Sequence, residues 1–165
     1  MRLLSSFEMA RLVAVLNQKE SFGIGVSCEN LVSASRYSYL KFMEDLSEKD
    51  KEIVRYYMSK MDVLDLKSVD FNRVSGGQQQ RVNVCIAFAM HDLVSSSKTS
   101  INLLVMDEKF EGLDADGTEA AFELIRAKAE DKSVYVITHS HIIDVLNSKT
   151  IEIAMENGTT VISEN

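Results

Sequence analysis

The chain has 165 residues, 45% apolar and 26% charged, which suits one domain with a real core. Its net charge of −7 leaves no overall basic footprint for nucleic acid, so any such contact must be local or made by a partner. No apolar run reaches the length of a membrane span, and Cys28 and Cys85, far apart and each in apolar surroundings, read as buried apolar residues rather than as a zinc site or disulfide framework.

The opening stretch "MRLLSSFEMARLVAVLNQKE" carries Glu8, Arg11 and Lys19 too early for a signal peptide, and a reducing cytoplasm is the expected compartment. Residues 5–18 fit an amphipathic helix, with Ser5 and Glu8 at capping-box spacing and Met9, Leu12, Val13 and Leu16 on one face. Phe22, Ile24, Val26 and Cys28 then alternate as a strand would, with room for a second strand after Glu29-Asn30. Residues 47–61 read as a helix capped by Ser47, with Ile53, Val54, Tyr57, Met58 and Met61 as its packing stripe.

The texture changes at residue 74. A helix opens at Ser75 and runs to about residue 94. "INLLVMDE" is a nearly unbroken apolar run ending in two acids, as a strand buried on both faces would be. Residues 115–130 are helical, "SVYVITHS" is a second buried strand, and residues 140–147 form a short helix. "TIEIAMENGTTVIS" closes as a hairpin across Asn157-Gly158. The alternation of strands and helices implies an α/β fold, with a parallel sheet, flanking helices and a small C-terminal β-hairpin.

Four motifs carry chemistry. In "VSGGQ", Ser75 caps the helix and Gln78 completes the capping box. Gly76 and Gly77 clear side chains from the first-turn N–H groups, so an anion can approach the positive end of the helix dipole; an ordinary Gly-Gly turn before a helix is the other reading. In "LLVMDE", Asp107 and Glu108 stand at the C-terminal end of a strand, the edge where parallel sheets bind ligands. Asp107 there can hold Mg²⁺, and Glu108 can position or deprotonate a water. In "GLDADG", Asp114 precedes a helix and could serve simply as its N-cap. In "VITHS", His139 ends a strand where an imidazole could hydrogen-bond a phosphate, whereas His91 and His141 read as structural.

The order of these pieces resembles the C-terminal half of an ABC-type ATPase, over about residues 72–165. "VSGGQQQRV" resembles the signature motif, with Val74 where that family usually has Leu. "LLVMDE" resembles Walker B, "GLD" the D-loop and "THS" the H-loop. The resemblance implies a partial ABC ATPase head lobe, with residues 1–71 as its N-terminal helix, strand and helix region in the same compact domain. It implies ATP and Mg²⁺ as cofactors. Asp107 would hold the metal, Glu108 and His139 would be catalytic, and Ser75, Gly76, Gly77, Gln78 and Asp114 would face nucleotide at a dimer interface.

None of the seven glycines precedes a Lys-Ser or Lys-Thr pair, so the phosphate-cradling Walker A loop must come from another chain or from residues not included here. Ser75 and Asp107 lie 32 positions apart (107 − 75), and Lys109-Phe110-Glu111 follow the acids. In these features the chain resembles the SMC-type and SbcC-like double-strand-break repair and phage recombination ATPases. That implies an ATP-dependent dimer with a Walker A-bearing lobe, a nuclease subunit and DNA, and no membrane. The "QQQR" spelling is transporter-like, and residues 36–70 form a helical stretch outside the repair pattern. Half of a transporter-type module, or a non-catalytic regulatory lobe, are therefore the alternatives.

Overall fold

The computed structural model describes residues 25–37, 45–95, 103–108, 110–138, 149–156 and 159–164. The helices expected at residues 5–18 and 140–147 lie outside them, as does His139.

Among the described residues four α-helices form, each opening on a side-chain cap that the sequence supplies. Helix α1, Cys28–Ala34, starts where the Ser27 hydroxyl accepts from the Asn30 N–H. Helix α2, Glu48–Lys60, starts at Ser47, which accepts from the Asp50 N–H. Helix α3 is Gly76–Ser95. Helix α4, Ala115–Ala129, is capped by Asp114, which accepts from the Gly117 N–H at 2.9 Å. Two 3₁₀ turns, Leu64–Leu66 and Phe71–Arg73, lead from α2 into α3.

The strand expected through Val26 and Cys28 is not what forms. Ser27 makes one antiparallel bridge to Asp70, and the chain is helical from Cys28, so no second strand follows Glu29-Asn30. A two-residue alternation is weak evidence beside a Ser cap with an acid in the first turn, and here the cap wins.

Strands β1, Leu103–Asp107, and β2, Ser133–Ile137, pair in parallel from Leu103↔Ser133 to Asp107↔Ile137. Helix α4 is the crossover between them. Strands β3, Ile151–Glu156, and β4, Thr159–Glu164, pair antiparallel, and the Glu156↔Thr159 register leaves the two-residue link that Asn157-Gly158 predicts.

The core is centred on α3. Val82, Cys85, Phe88 and Ala89 are fully buried, against Cys28 and Val32 of α1 and Val54, Tyr57 and Met58 of α2. Helix α4 adds Ala121, Phe122, Leu124 and Ile125, and β1 adds Leu104 and Met106. Burial pushes both cysteine thiols above their ordinary range, consistent with inert packing residues.

The strands β1 and β2, expected to be buried on both faces, are covered on one. Leu104 and Met106 are covered, but Val105 is 53% exposed, as are about half of Leu103, Tyr135 and Ile137. Helices cover only one face of this pair among the described residues, so period-2 neighbours part company. The hairpin shows the same condition. Ile153 pairs with Ile162, Ile151 and Met155 share their face, and all four are exposed.

Candidate nucleotide site

The first component is the start of α3. The Gln78 N–H donates to Ser75 Oγ (3.4 Å), and the Ser75 N–H donates to Gln78 Oε1 (3.0 Å), a complete reciprocal capping box. Among the described residues, and apart from its chain neighbours and its own helix backbone, no atom stands within 4 Å of where a Cβ on Gly76 would sit, which leaves this turn room for an incoming group. A Cβ on Gly77 would lie 3.6 Å from the Gly112 carbonyl oxygen, which brings the first turn of α3 against the loop after β1.

That loop is the second component. The β1–β2 ladder ends at Asp107↔Ile137, and the Glu108 N–H donates once more to the Ile137 carbonyl (2.9 Å). Glu108 then takes φ +51, a left-handed conformation that carries strain in a residue with a Cβ. Gly112 follows at φ +82, where glycine is needed. The loop is anchored by buried Phe110, whose ring lies 5.6 Å from that of Phe122 in α4. Asp107 is exposed at the C-terminal end of β1, the edge the sequence reading expected.

Asp114 is an N-cap, and it is more than that. It also accepts from Arg81 Nη2 at 2.7 Å. The Arg81 bond, followed by the Gly117 N–H, holds the Asp114 carboxyl below its ordinary range. Arg81 was not picked out by motif reading, yet it organises the site. It is 7% exposed, and its Nη1 donates to the Met61 carbonyl at 3.1 Å, with the Asp62 carboxylate 3.8 Å away. One buried guanidinium thus joins the end of α2, the start of α3 and the start of α4. Its sequence signal was a cation on the otherwise apolar face of "RVNVCIAFA".

Ser75–Gln78, Gly112 and Asp114 therefore come together, with Asp107 and Glu108 on the same loop. His139 falls outside the described residues. These groups fit part of a Mg²⁺–nucleotide site, namely an open helix N-terminus for phosphate and a strand-end carboxylate for the metal. Among the described residues no three His, Cys, Asp or Glu side chains cluster to hold a metal by themselves.

The family model described as "SbcC/RAD50-like, Walker B motif" matches residues 53–127. A chelated iron transport system membrane protein of Yersinia pestis is 30% identical over 116 residues, which are 70% of this chain and 36% of that protein. The zinc uptake system ATP-binding protein of Listeria monocytogenes is 32% identical over 96 residues, 57% of this chain and 34% of that one. Among solved structures, an inward-facing metal-chelate type ABC transporter superposes with a TM-score of 0.62 at 15% identity. It covers 90% of this chain and 69% of that one. An SMC ATPase structure gives 0.51 at 18% identity, covering 58% of this chain and 56% of that one.

These likenesses are those of the C-terminal half of an ABC-type ATPase. The chain spans about a third to just over half of the curated relatives it matches. By the motif resemblance the capping box at Ser75 would be the signature, Asp107-Glu108 the Walker B acids and Gly112–Asp114 the D-loop. No described helix is long and apolar enough to cross a membrane.

Proposed function

We propose that this chain is the signature and Walker B half of a transporter-type ABC nucleotide-binding module, hydrolysing ATP once a Walker A-bearing half joins it. The carrying observation is the uncovered apolar face of β1–β2, whose strand end bears Asp107 and Glu108. A half-module that supplied the Walker A loop and a layer over Val105 and Tyr135 would satisfy two shortfalls at once. It would cover the exposed side chains, and it would bring phosphate within reach of the acids.

ATP with Mg²⁺ supplies the leaving group and the charge neutralisation when bound. The chain's own residues do the rest. Asp107 holds the metal. Glu108, at φ +51, would position or deprotonate the attacking water. His139, which the motif resemblance makes the H-loop histidine, would hydrogen-bond the γ-phosphate. Ser75, Gly76, Gly77 and Gln78 present N–H and hydroxyl groups to nucleotide held by an opposing module, and Asp114 sets the loop between the two.

Two findings favour the transporter branch. The curated relatives are mostly ATP-binding proteins of uptake systems. The transporter fold also spans 90% of the chain, so it takes in at least half of residues 36–70, the stretch outside the repair pattern. A second reading, an SMC-type or SbcC-like repair ATPase acting with a nuclease on DNA, is favoured by the family match over residues 53–127 and by the long signature-to-Walker-B spacing.

The test is reconstitution with a Walker A half. ATP turnover that vanishes in Glu108→Gln, with the ATP-bound dimer trapped, is expected; Ser75→Arg should prevent that dimer. Stimulation by DNA would select the repair branch, and stimulation by a membrane-spanning partner the transporter branch. Turnover unchanged by Glu108→Gln would leave the chain as a regulatory lobe.

A further inference from the structure

Helices α3 and α4 are tied at two places. At their N-terminal ends Arg81 binds Asp114. At their C-terminal ends Asp92 of α3 binds Lys128 in the last turn of α4. The second tie is built into the core. The Tyr57 hydroxyl donates to the other Asp92 oxygen at 2.5 Å, and Lys128 Nζ lies 5.6 Å from the Tyr57 ring centre. Tyr57 is itself fully buried and stacked on Phe88 of α3 at 5.6 Å. The far tie therefore fixes α2, α3 and α4 together, as Arg81 does at the near end.

The two ties are 11 residues apart on α3 (92 − 81), about 16 Å at 1.5 Å per residue. A single tie is a pivot, whereas two ties that far apart set an angle. If the far tie slipped by about 3 Å, one hydrogen-bond length, α4 would turn by roughly 10° about the near one.

We infer that Asp92, Lys128 and Tyr57 are positioning residues for the nucleotide site, locking the angle between the signature helix and the helix that follows the D-loop. They touch none of the nucleotide-facing residues. They act on the direction of the first-turn N–H groups, which turn with the helix axes, because Ser75 opens one helix and Asp114, held by Arg81, opens the other. This consequence for the site rests on the ATPase reading above; the lock itself does not.

The test uses the chain alone. Residual dipolar couplings of backbone amides in α3 and α4 report the angle between the helices directly. One alignment tensor should fit both helices in the native chain and in Lys128→Arg, which keeps the cation. In Lys128→Met, α4 should require a tensor rotated by roughly 10°, or of smaller magnitude than that of α3. If Lys128→Met does not fold, Asp92→Asn, which keeps an oxygen acceptor but loses the charge, should show the same loosening. A single tensor for both helices in Lys128→Met or Asp92→Asn, with only the unfolding midpoint lowered, would overturn the lock and leave the ties as plain stability contacts. That outcome would not touch the ATPase reading, which reconstituted turnover decides separately.

Discussion

Gly117→Ala is the substitution for which sequence and structure give opposite signs. Gly117 is the third residue of α4, and by helix propensity alone Ala would stabilise it by about 1 kcal/mol. The structure argues otherwise. An added Cβ would stand 2.7 Å from Asp114 Oδ1 and 2.9 Å from Arg81 Nε, both below any contact that real methyl groups make. One of them must move, and they are bonded to each other. Overpacking of this kind costs about 1–3 kcal/mol. If Arg81 yields, the Met61 carbonyl loses its donor, a further loss of about 1–3 kcal/mol. The net expectation is destabilisation by about 1–3 kcal/mol, a fall in Tm of roughly 3–10 °C for a chain of this length. Urea unfolding followed by circular dichroism measures it. In an Asp114→Ala background the first clash is gone and Arg81 is free to shift, so the same substitution should cost less than half as much. A Gly117→Ala chain more stable than the parent would refute the argument that this close approach governs the site.

The remaining predictions follow from single observations. Burial alone would raise the Asp92 carboxyl, but His91, Lys128 and Tyr57 outweigh it and hold it down at about 2. A depressed folded pKa contributes stability above the unfolded value near 4 and loses it as pH falls toward 2, so about 2 kcal/mol should disappear across that window. In Asp92→Asn the loss from pH 5 to pH 2 should be smaller by that amount, as read by urea titrations at each pH. Glu108→Gly relieves a left-handed backbone and should stabilise the chain by about 0.5–1 kcal/mol while abolishing reconstituted turnover, a pairing expected only where the strain serves function. Val105→Lys should alter the stability of the chain by less than about 0.5 kcal/mol but block joining of a Walker A half, whereas Met106→Lys, at a residue 2% exposed, should unfold it.

Motif order and local patterning carried much of this protein. Ser47, Ser75 and Asp114 announced three helix starts because capping depends on a side chain and the N–H groups two or three residues on, which are neighbours in the chain. The Asn157-Gly158 hairpin was legible for the same reason, since its register depends on two residues. The four motifs in sequence pointed to half of an ABC module, and comparison with known proteins bears that out. On the branch the comparisons divide: the matching family model is SbcC/RAD50-like, while the curated relatives are mostly transporter ATP-binding proteins.

What sequence could not give was whatever depends on a third party. The pattern "LLVMD" is equally apolar whether one face or two are covered, so only the tertiary arrangement showed Val105 bare and Met106 buried. "GIGVSCEN" alternates as a strand would, yet the Ser27 cap with Glu29 in the first turn starts a helix there, which packing against α2 and α3 then covers. Arg81 is one letter after three glutamines. Its bonds reach 20 positions back to Met61 and 33 forward to Asp114, distances at which a sequence carries no periodic signal. Local rules are written along the chain; the junction of α2, α3 and α4 exists only once they have packed.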